Sequence, residues 1–207
     1  MSVLPDLAAG DVAVVTIDLH RGHLDPAVAT MPLPADVCRR VLAANAELLA
    51  AARNRGIPVV HVMTAYNGIK EIASNPWWAA VADTDATRGN VLRHQLPGSP
   101  GLELMPEILD ETYDLVVRTK KRYDCFHATE LDHLLRSRGL RTLLVTGVNT
   151  NSCVLATTVS GNVKDYAMVV VDGAVDTMDP QLHESALALI RQAFGWVITV
   201  KEAVTAL

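Results

Sequence analysis

The sequence predicts a three-layer α/β/α sandwich around a mostly parallel sheet of about six strands. Short apolar runs rich in β-branched residues alternate along the chain with longer segments of helical character, the order that builds strand–helix–strand units. The runs are apolar at successive positions rather than at every second one, as strands covered on both faces must be. Right-handed crossovers then restrict the chain to a doubly wound, Rossmann-like topology.

Val12 to Ile17 reads as the first strand; it ends at Asp18, after which Gly22 and Pro26 mark a loop. From about Asp36 to Arg55 the chain turns helical, alanine-rich with apolar residues at Val37, Val41, Leu42, Leu48 and Leu49, and it stops before Gly56. A second strand follows at Ile57 to Thr64. The region from Ala65 to Gly101 carries the turn pairs Asn67-Gly68, Asn75-Pro76, Gly89-Asn90, Pro97-Gly98 and Pro100-Gly101 around Trp77-Trp78. Such an excursion reads as a lid or binding loop, with a short structural helix at Pro76 to Val81 as the alternative. The third strand runs from Asp114 to Arg118. Thr129 then reads as a helix N-cap with Asp132 as its capping-box partner, and that helix runs to Arg138 before Gly139. The strand Thr142 to Thr146 stops at Gly147, makes a short polar turn and opens a helix at or near Cys153 that continues to about Lys164. Tyr166 to Val171 is the fifth strand, Pro180 to Phe194 a helix with proline in its first turn, and Trp196 to Val200 the closing strand.

With 207 residues, half of them hydrophobic, the chain can bury one sizeable core, and a single domain over residues 1–207 is expected. A net charge of −5 without a basic cluster argues against a nucleic-acid partner. Three widely spaced cysteines, Cys38, Cys125 and Cys153, argue against a disulfide framework or zinc knuckle and for a reducing compartment. Met1 to Asp6 lacks the charged and apolar regions of a signal peptide, and no apolar run approaches the ~20 residues that span a bilayer. A cytoplasmic protein that does not meet a membrane is expected.

Ligands of open α/β sheets bind beyond the carboxyl ends of the strands. Asp18 stands after the first strand, Lys120 after the third, and Cys153 opens the helix after the fourth. An acid, a cation and a thiol from three separate strand ends can converge on one point. Each also has a plainer reading: a loop-capping carboxylate, a solvated lysine, a small buried hydrophobe. A cysteine in the first turn of a helix would meet unpaired N–H groups and the positive end of the helix dipole, both of which favour thiolate.

The segment Gly147-Val148-Asn149-Thr150-Asn151-Ser152-Cys153-Val154 resembles the nucleophile motif of the isochorismatase-like cysteine hydrolases. Lys120-Lys121-Arg122-Tyr123-Asp124-Cys125-Phe126 resembles their lysine segment and Ile17-Asp18-Leu19-His20 their first-strand aspartate segment. The three matches occur in family order over nearly the whole chain. The resemblance implies the isochorismatase-like hydrolase fold and a catalytic triad of Asp18, Lys120 and Cys153. It further implies a cis peptide between Val148 and Asn149 and an oxyanion site from the amides of Cys153 and Asn149. The implied reaction cleaves a C–N bond of a small linear amide, ureido compound or lactam through a thioester, without a cofactor, in a homodimer or homotetramer. Isochorismatase-type vinyl-ether hydrolysis is the alternative chemistry, and an inactive binding homologue the alternative class.

The chain departs from the pattern in places. Family nicotinamidases hold a metal through an aspartate-any-histidine pair after the second strand; His61-Val62-Met63-Thr64-Ala65-Tyr66-Asn67 has none, which disfavours that activity. His20 and His23 replace the usual glutamine and phenylalanine. With Asp25 they could suggest metal ligands, but spacing of this kind in a Gly/Pro loop has no regular geometry behind it; no metal is expected, with His23 lining the pocket and His20 structural. Cys125 reads as packing. His94, His127, His133 and His183 receive no role. Arg122 has two readings, a substrate carboxylate or a structural ion pair. Asn149 and Trp77 are the remaining substrate-binding candidates, with Trp77 and Trp78 as lid aromatics of which one packs in the core. Phe194-Gly195-Trp196-Val197 also resembles the ureidoacrylate hydrolase branch of the family.

Overall fold

Runs of valine, isoleucine and leucine form β1 (Val12–Ile17), β2 (Val59–Thr64), β3 (Leu115–Lys120), β4 (Thr142–Val148), β5 (Ala167–Asp176) and β6 (Trp196–Thr199) in the computed structural model, which describes residues 3–207. All pair in parallel, in the order β3-β2-β1-β4-β5-β6. Every residue of β1, β2 and β4 is buried, as expected for central strands covered on both sides.

The helices are α1 (Arg21–Leu24), α2 (Ala35–Asn54), α3 (Ile69–Ala73), α4 (Pro76–Val81), α5 (Leu131–Ser137), α6 (Leu155–Val163), α7 (Pro180–Leu189) and α8 (Val200–Ala206). Alternation along β1 sorts them into layers. Val12 and Val14 face a core with Val41, Leu48 and Leu49 of α2 and Ala203 of α8. Ala13, Val15 and Ile17 face the opposite core, with Leu131 and Leu135 of α5 and Leu187 of α7. These are the three layers the sequence predicts.

Several boundaries differ from expectation for local reasons. The sequence reading ended in a strand, yet α8 follows β6, opened by a capping box in which the Thr199 hydroxyl accepts from the Glu202 N–H and the Glu202 carboxylate accepts from the Thr199 N–H. Thr129 does not cap with Asp132: its hydroxyl accepts from Leu131 N and donates to the Cys125 carbonyl, while Asp132 binds Arg136 and Tyr166. α7 ends in a π-helical turn, Ile190–Phe194. Residues 65–101 hold α3, α4 and two 3₁₀ turns, and they pack around a small cluster of their own: Tyr66, Ile72, Trp78 and Val91. Among the described residues no helix is long and apolar enough to cross a membrane.

Ile17 of β1 pairs with Gly147 of β4. Gly147 has φ +105°, and a Cβ there would meet the Ile17 carbonyl oxygen at 2.0 Å. Both backbone conformation and space require glycine. Gly147→Ala is expected to lower stability by about 3 kcal/mol or more, read from urea unfolding midpoints at unchanged m-value.

Candidate active site

The chain starts at the middle of the sheet, winds outward through β2 and β3, then returns to lay β4 on the other side of β1. The reversal opens a crevice beyond the carboxyl ends of β1 and β4. Asp18 leaves β1 in the left-handed region, φ 53°, a conformation that short polar side chains tolerate best. Lys120 is the last residue of β3 and pairs in register with Thr64, the last of β2. Strand register thus carries the acid, the cation and the hydroxyl to one level.

The three groups interlock. The Lys120 ammonium donates to Asp18 Oδ2 at 2.5 Å, to Thr64 Oγ1 at 2.6 Å and to Cys153 Sγ at 3.4 Å. The Thr64 hydroxyl and N–H each donate to Asp18 Oδ1 at 2.8 Å. All three protons of the ammonium have partners, which is what permits a lysine only 1% exposed. Burial opposes the charge on both members, but each holds the other ionised. The Asp18 carboxyl stays well below the usual carboxylate range beside Lys120 and His20, and the Lys120 ammonium is held above its ordinary value.

Cys153 sits in a π-helical turn, Thr150–Val154, just before α6. It therefore lies outside the first turn of the α-helix, where the sequence expected it, and no simple dipole argument makes it a thiolate. Burial pushes its thiol up to about 11, with Lys120 pulling down and Asp18 pushing up. The resting sulfur is a thiol beside a carboxylate that can take its proton. The Val148–Asn149 peptide that precedes the turn is cis. Cys125 and Cys38 are buried as well, and burial pushes both thiols up.

Two connected cavities open here. A narrow inner pocket of about 20 Å³, room for roughly one water, is lined by Asp18, Lys120, Cys153, His23 and Trp78, among others. An outer cavity of about 320 Å³ shares His23, Met31 and Arg88 with it and adds Asn149, Asn151 and Thr177. His23 therefore lines both, and its Nδ1–H donates to the Met31 carbonyl at 3.0 Å. Asn149 lies at the outer wall, its side-chain oxygen accepting from Thr177.

Trp77 belongs to neither wall and needs correction: it is 66% exposed. Adjacent residues on a helix point ~100° apart, so α4 can turn only one of the pair inward. That one is Trp78, which donates from Nε1 to the Tyr123 hydroxyl at 2.8 Å and lies edge-on to Tyr66 and Tyr123. Arg122 is occupied in structure: it donates to the Lys121 and Glu71 carbonyls and to Ser74, and lies 4.8 Å over Trp78.

Sequence reasoning missed two residues. Arg88 reaches both cavities, with its guanidinium 4.9 Å over the Tyr123 ring and one long hydrogen bond, 3.4 Å, to Ser152. His94 joins His20 and His23, the three rings lying 4.7 to 5.6 Å apart between centroids. Asp25 turns away to Arg21. The only signal for either was membership of the excursion between Ala65 and Gly101.

Two outcomes test this geometry. Removing one member of a buried ion pair strands the other, so Lys120→Met is expected to cost about 3–5 kcal/mol in chemical denaturation, and Asp18→Asn with Lys120→Met appreciably less than the sum. Iodoacetamide should alkylate Cys153 before Cys38 or Cys125, since Cys153 alone among them lines a cavity, and ever faster as pH rises toward 11. Peptide mass mapping reads both order and rate.

The Isochorismatase domain family model matches residues 12–202. The ureidoacrylate amidohydrolase RutB of Methylobacterium radiotolerans is 36% identical over 167 residues, 77% of this chain and 64% of that relative, so the match spans just under two thirds of its length. RutB of Methylorubrum extorquens is 33% identical over 205 residues, 93% of this chain and 81% of the relative. Among solved structures, an isochorismatase family protein from Burkholderia thailandensis superposes with a TM-score of 0.74 at 30% identity, covering 99% of this chain and 98% of that one. With its fold, its motif order and nearly its full length matched, the chain belongs to the isochorismatase family.

Proposed function

We propose that this protein is a cysteine amidohydrolase that cleaves a C–N bond of a small linear amide, ureido compound or lactam. The whole of residues 1–207 acts in this proposal as one catalytic domain. The observation that carries it is the contact of one buried ammonium with both the Asp18 carboxylate and the Cys153 sulfur. Asp18 takes the thiol proton, and the thiolate attacks the amide carbonyl carbon. The resulting oxyanion is met by the main-chain N–H groups of Asn149 and Cys153. As the intermediate collapses the C–N bond breaks, Asp18 returns its proton to the leaving amine, and a thioester remains on Cys153. Water, losing a proton to Asp18, then attacks the thioester carbonyl; the C–S bond breaks, the acid product leaves, and Asp18 passes that proton to the Cys153 sulfur to restore the resting pair. Lys120 keeps Asp18 ionised at rest and offsets charge on sulfur.

The cavity supports a refinement of substrate. The narrow inner pocket suits a small planar carbonyl head, leaving the rest of the molecule to the outer cavity. There Arg88 presents a guanidinium whose hydrogen bonds are largely unspent, which suits a substrate carboxylate. RutB relatives are named for ureidoacrylate, a ureido acid by its name. We therefore favour a carboxylate-bearing ureido compound. The proposal extends to a cytoplasmic homodimer or homotetramer, a reading supported by three free cysteines and by the exposed Trp77, Leu182 and Leu189.

Ammonia release from a panel of ureido acids and amides is expected to fall ~10⁴-fold or more in Cys153→Ala. Mass spectrometry of mixed enzyme and substrate should find the acyl group on Cys153. Turnover that survives in Cys153→Ala would instead favour vinyl-ether hydrolysis. Arg88→Met should raise KM for acidic substrates roughly 10- to 100-fold, with little effect on neutral amides.

A further inference from the structure

His20, His23 and His94 form a cluster that the hydrolytic scheme does not use. They come from the loop after β1, from α1 and from the excursion, and all three are buried. One ring nitrogen of each lies within 4.8 Å of those of the other two. Three imidazoles drawn out of water into one spot need a common reason, because each ring has a second nitrogen to satisfy.

The outer contacts are those of metal ligands. The Nδ1–H of His23 donates to the Met31 carbonyl at 3.0 Å, and Nδ1 of His94 is 2.7 Å from the Thr30 hydroxyl. The Met31 carbonyl fixes the tautomer of His23 and leaves its Nε2 as a lone-pair donor, and the Thr30 hydroxyl, free to accept from Nδ1, allows the same tautomer at His94. Neither Nε2 makes a hydrogen bond among the described residues, and both rings face the inner pocket. The Gln95 amide packs on the third ring, 2.8 Å from Nε2 of His20, while its Oε1 is buried without a partner. The same amide nitrogen also lies against Nδ1 of His20, and turning the amide over sets its oxygen against the ring, where it accepts the His20 N–H.

We propose that His20, His23 and His94 hold a divalent transition-metal ion of the zinc class in the wall of the inner pocket, beside Asp18. Three imidazoles with an open position toward a cavity are the donor set of a catalytic zinc site. Nitrogens bound to tetrahedral zinc lie about 3.4 Å apart, so the widest pair closes by a shift of about 0.7 Å per ring. The ion neighbours Asp18 on the side away from the ammonium, since His20 is 3.6 Å from Oδ1 and Lys120 holds Oδ2. Bound there, it supplies a Lewis acid for a polar substrate atom. The set shares no residue with the segment after β2, where the aspartate-any-histidine pair is missing.

The test is metal binding by the full chain, independent of turnover. Protein stripped with chelator, then dialysed against zinc, should retain about one zinc per chain by elemental analysis. Cobalt(II) in its place should give visible bands of a nitrogen-bound ion. Cys153→Ser, inactive under the hydrolytic reading, should bind zinc as the wild type does. His23→Gln and His94→Gln, each checked for folding by circular dichroism, should weaken binding roughly 100-fold, and His127→Gln, on an exposed residue, should not. Zinc should raise the melting temperature of the wild type but not of whichever of His23→Gln and His94→Gln folds, a comparison that needs only one of them. Overturning results are a wild type that retains less than a tenth of an equivalent, full binding by both histidine variants, or binding lost in Cys153→Ser alone.

Discussion

The site depends on one interaction, the buried pair of Lys120 and Asp18. Taking an ammonium and a carboxylate out of water costs several kcal/mol each, and their attraction offsets this only when geometry and remaining hydrogen bonds are right. Here the requirements are met by Thr64, which donates twice to the carboxylate and accepts once from the ammonium. Thr64 ends β2, Lys120 ends β3, and Asp18 follows β1. A slip of one residue in either strand pairing would turn a charge toward the apolar layer. The pair therefore needs the register of the sheet as much as it needs opposite charges.

The sulfur follows from the pair. Lys120 spends its third proton on Cys153, and the thiol still lies near 11 because burial outweighs that help. A permanent thiolate would have to face the Asp18 carboxylate, as Asp18 itself pushes the thiol up. The arrangement instead stores the proton on sulfur and keeps a base next to it. A thiol held this way resists oxidation and stray alkylation at rest, because only the thiolate reacts quickly.

Much of this was legible in the sequence, and the pattern of what was not has a physical cause. Strands were readable because central parallel strands are apolar on both faces; Val12 to Ile17 is buried throughout, as its composition implied. Asp18, Lys120 and Cys153 were readable because strand ends in such sheets meet at the crevice, so position along the chain stood in for position in space. Trp77 was chosen where Trp78 faces inward, since only packing against Tyr66 and Tyr123 decides which face of α4 turns in. His94 and Arg88 were missed for a related reason. Neither has a periodic neighbourhood, and His94 reaches His20 across more than seventy residues of chain with no motif to announce it. The α8 helix was missed because its apolar contacts lie on α2 and its capping box follows directly on a strand.

Under the proposed reaction, residues 65–101 are the part of the fold that can change the substrate while the chemistry is kept. Asp18, Lys120 and Cys153 all stand at strand ends or on the turn before α6. The excursion contributes Trp78, Arg88 and His94 to the cavity walls and is anchored by a cluster of its own, Tyr66, Ile72, Trp78 and Val91. Contacts that tie it to the sheet end and the segment after β3 include the Ala65 N–H to the Lys120 carbonyl, the Lys121 ammonium to the Ala65 carbonyl and Arg122 over Trp78. Replacing Arg88 or His94 leaves the Lys120–Asp18 pair and the register that holds it untouched. Replacing Thr64 does not. Arg88 and His94 thus stand apart from the end of the sheet, whereas Thr64, Lys120 and Asp18 hold one another there.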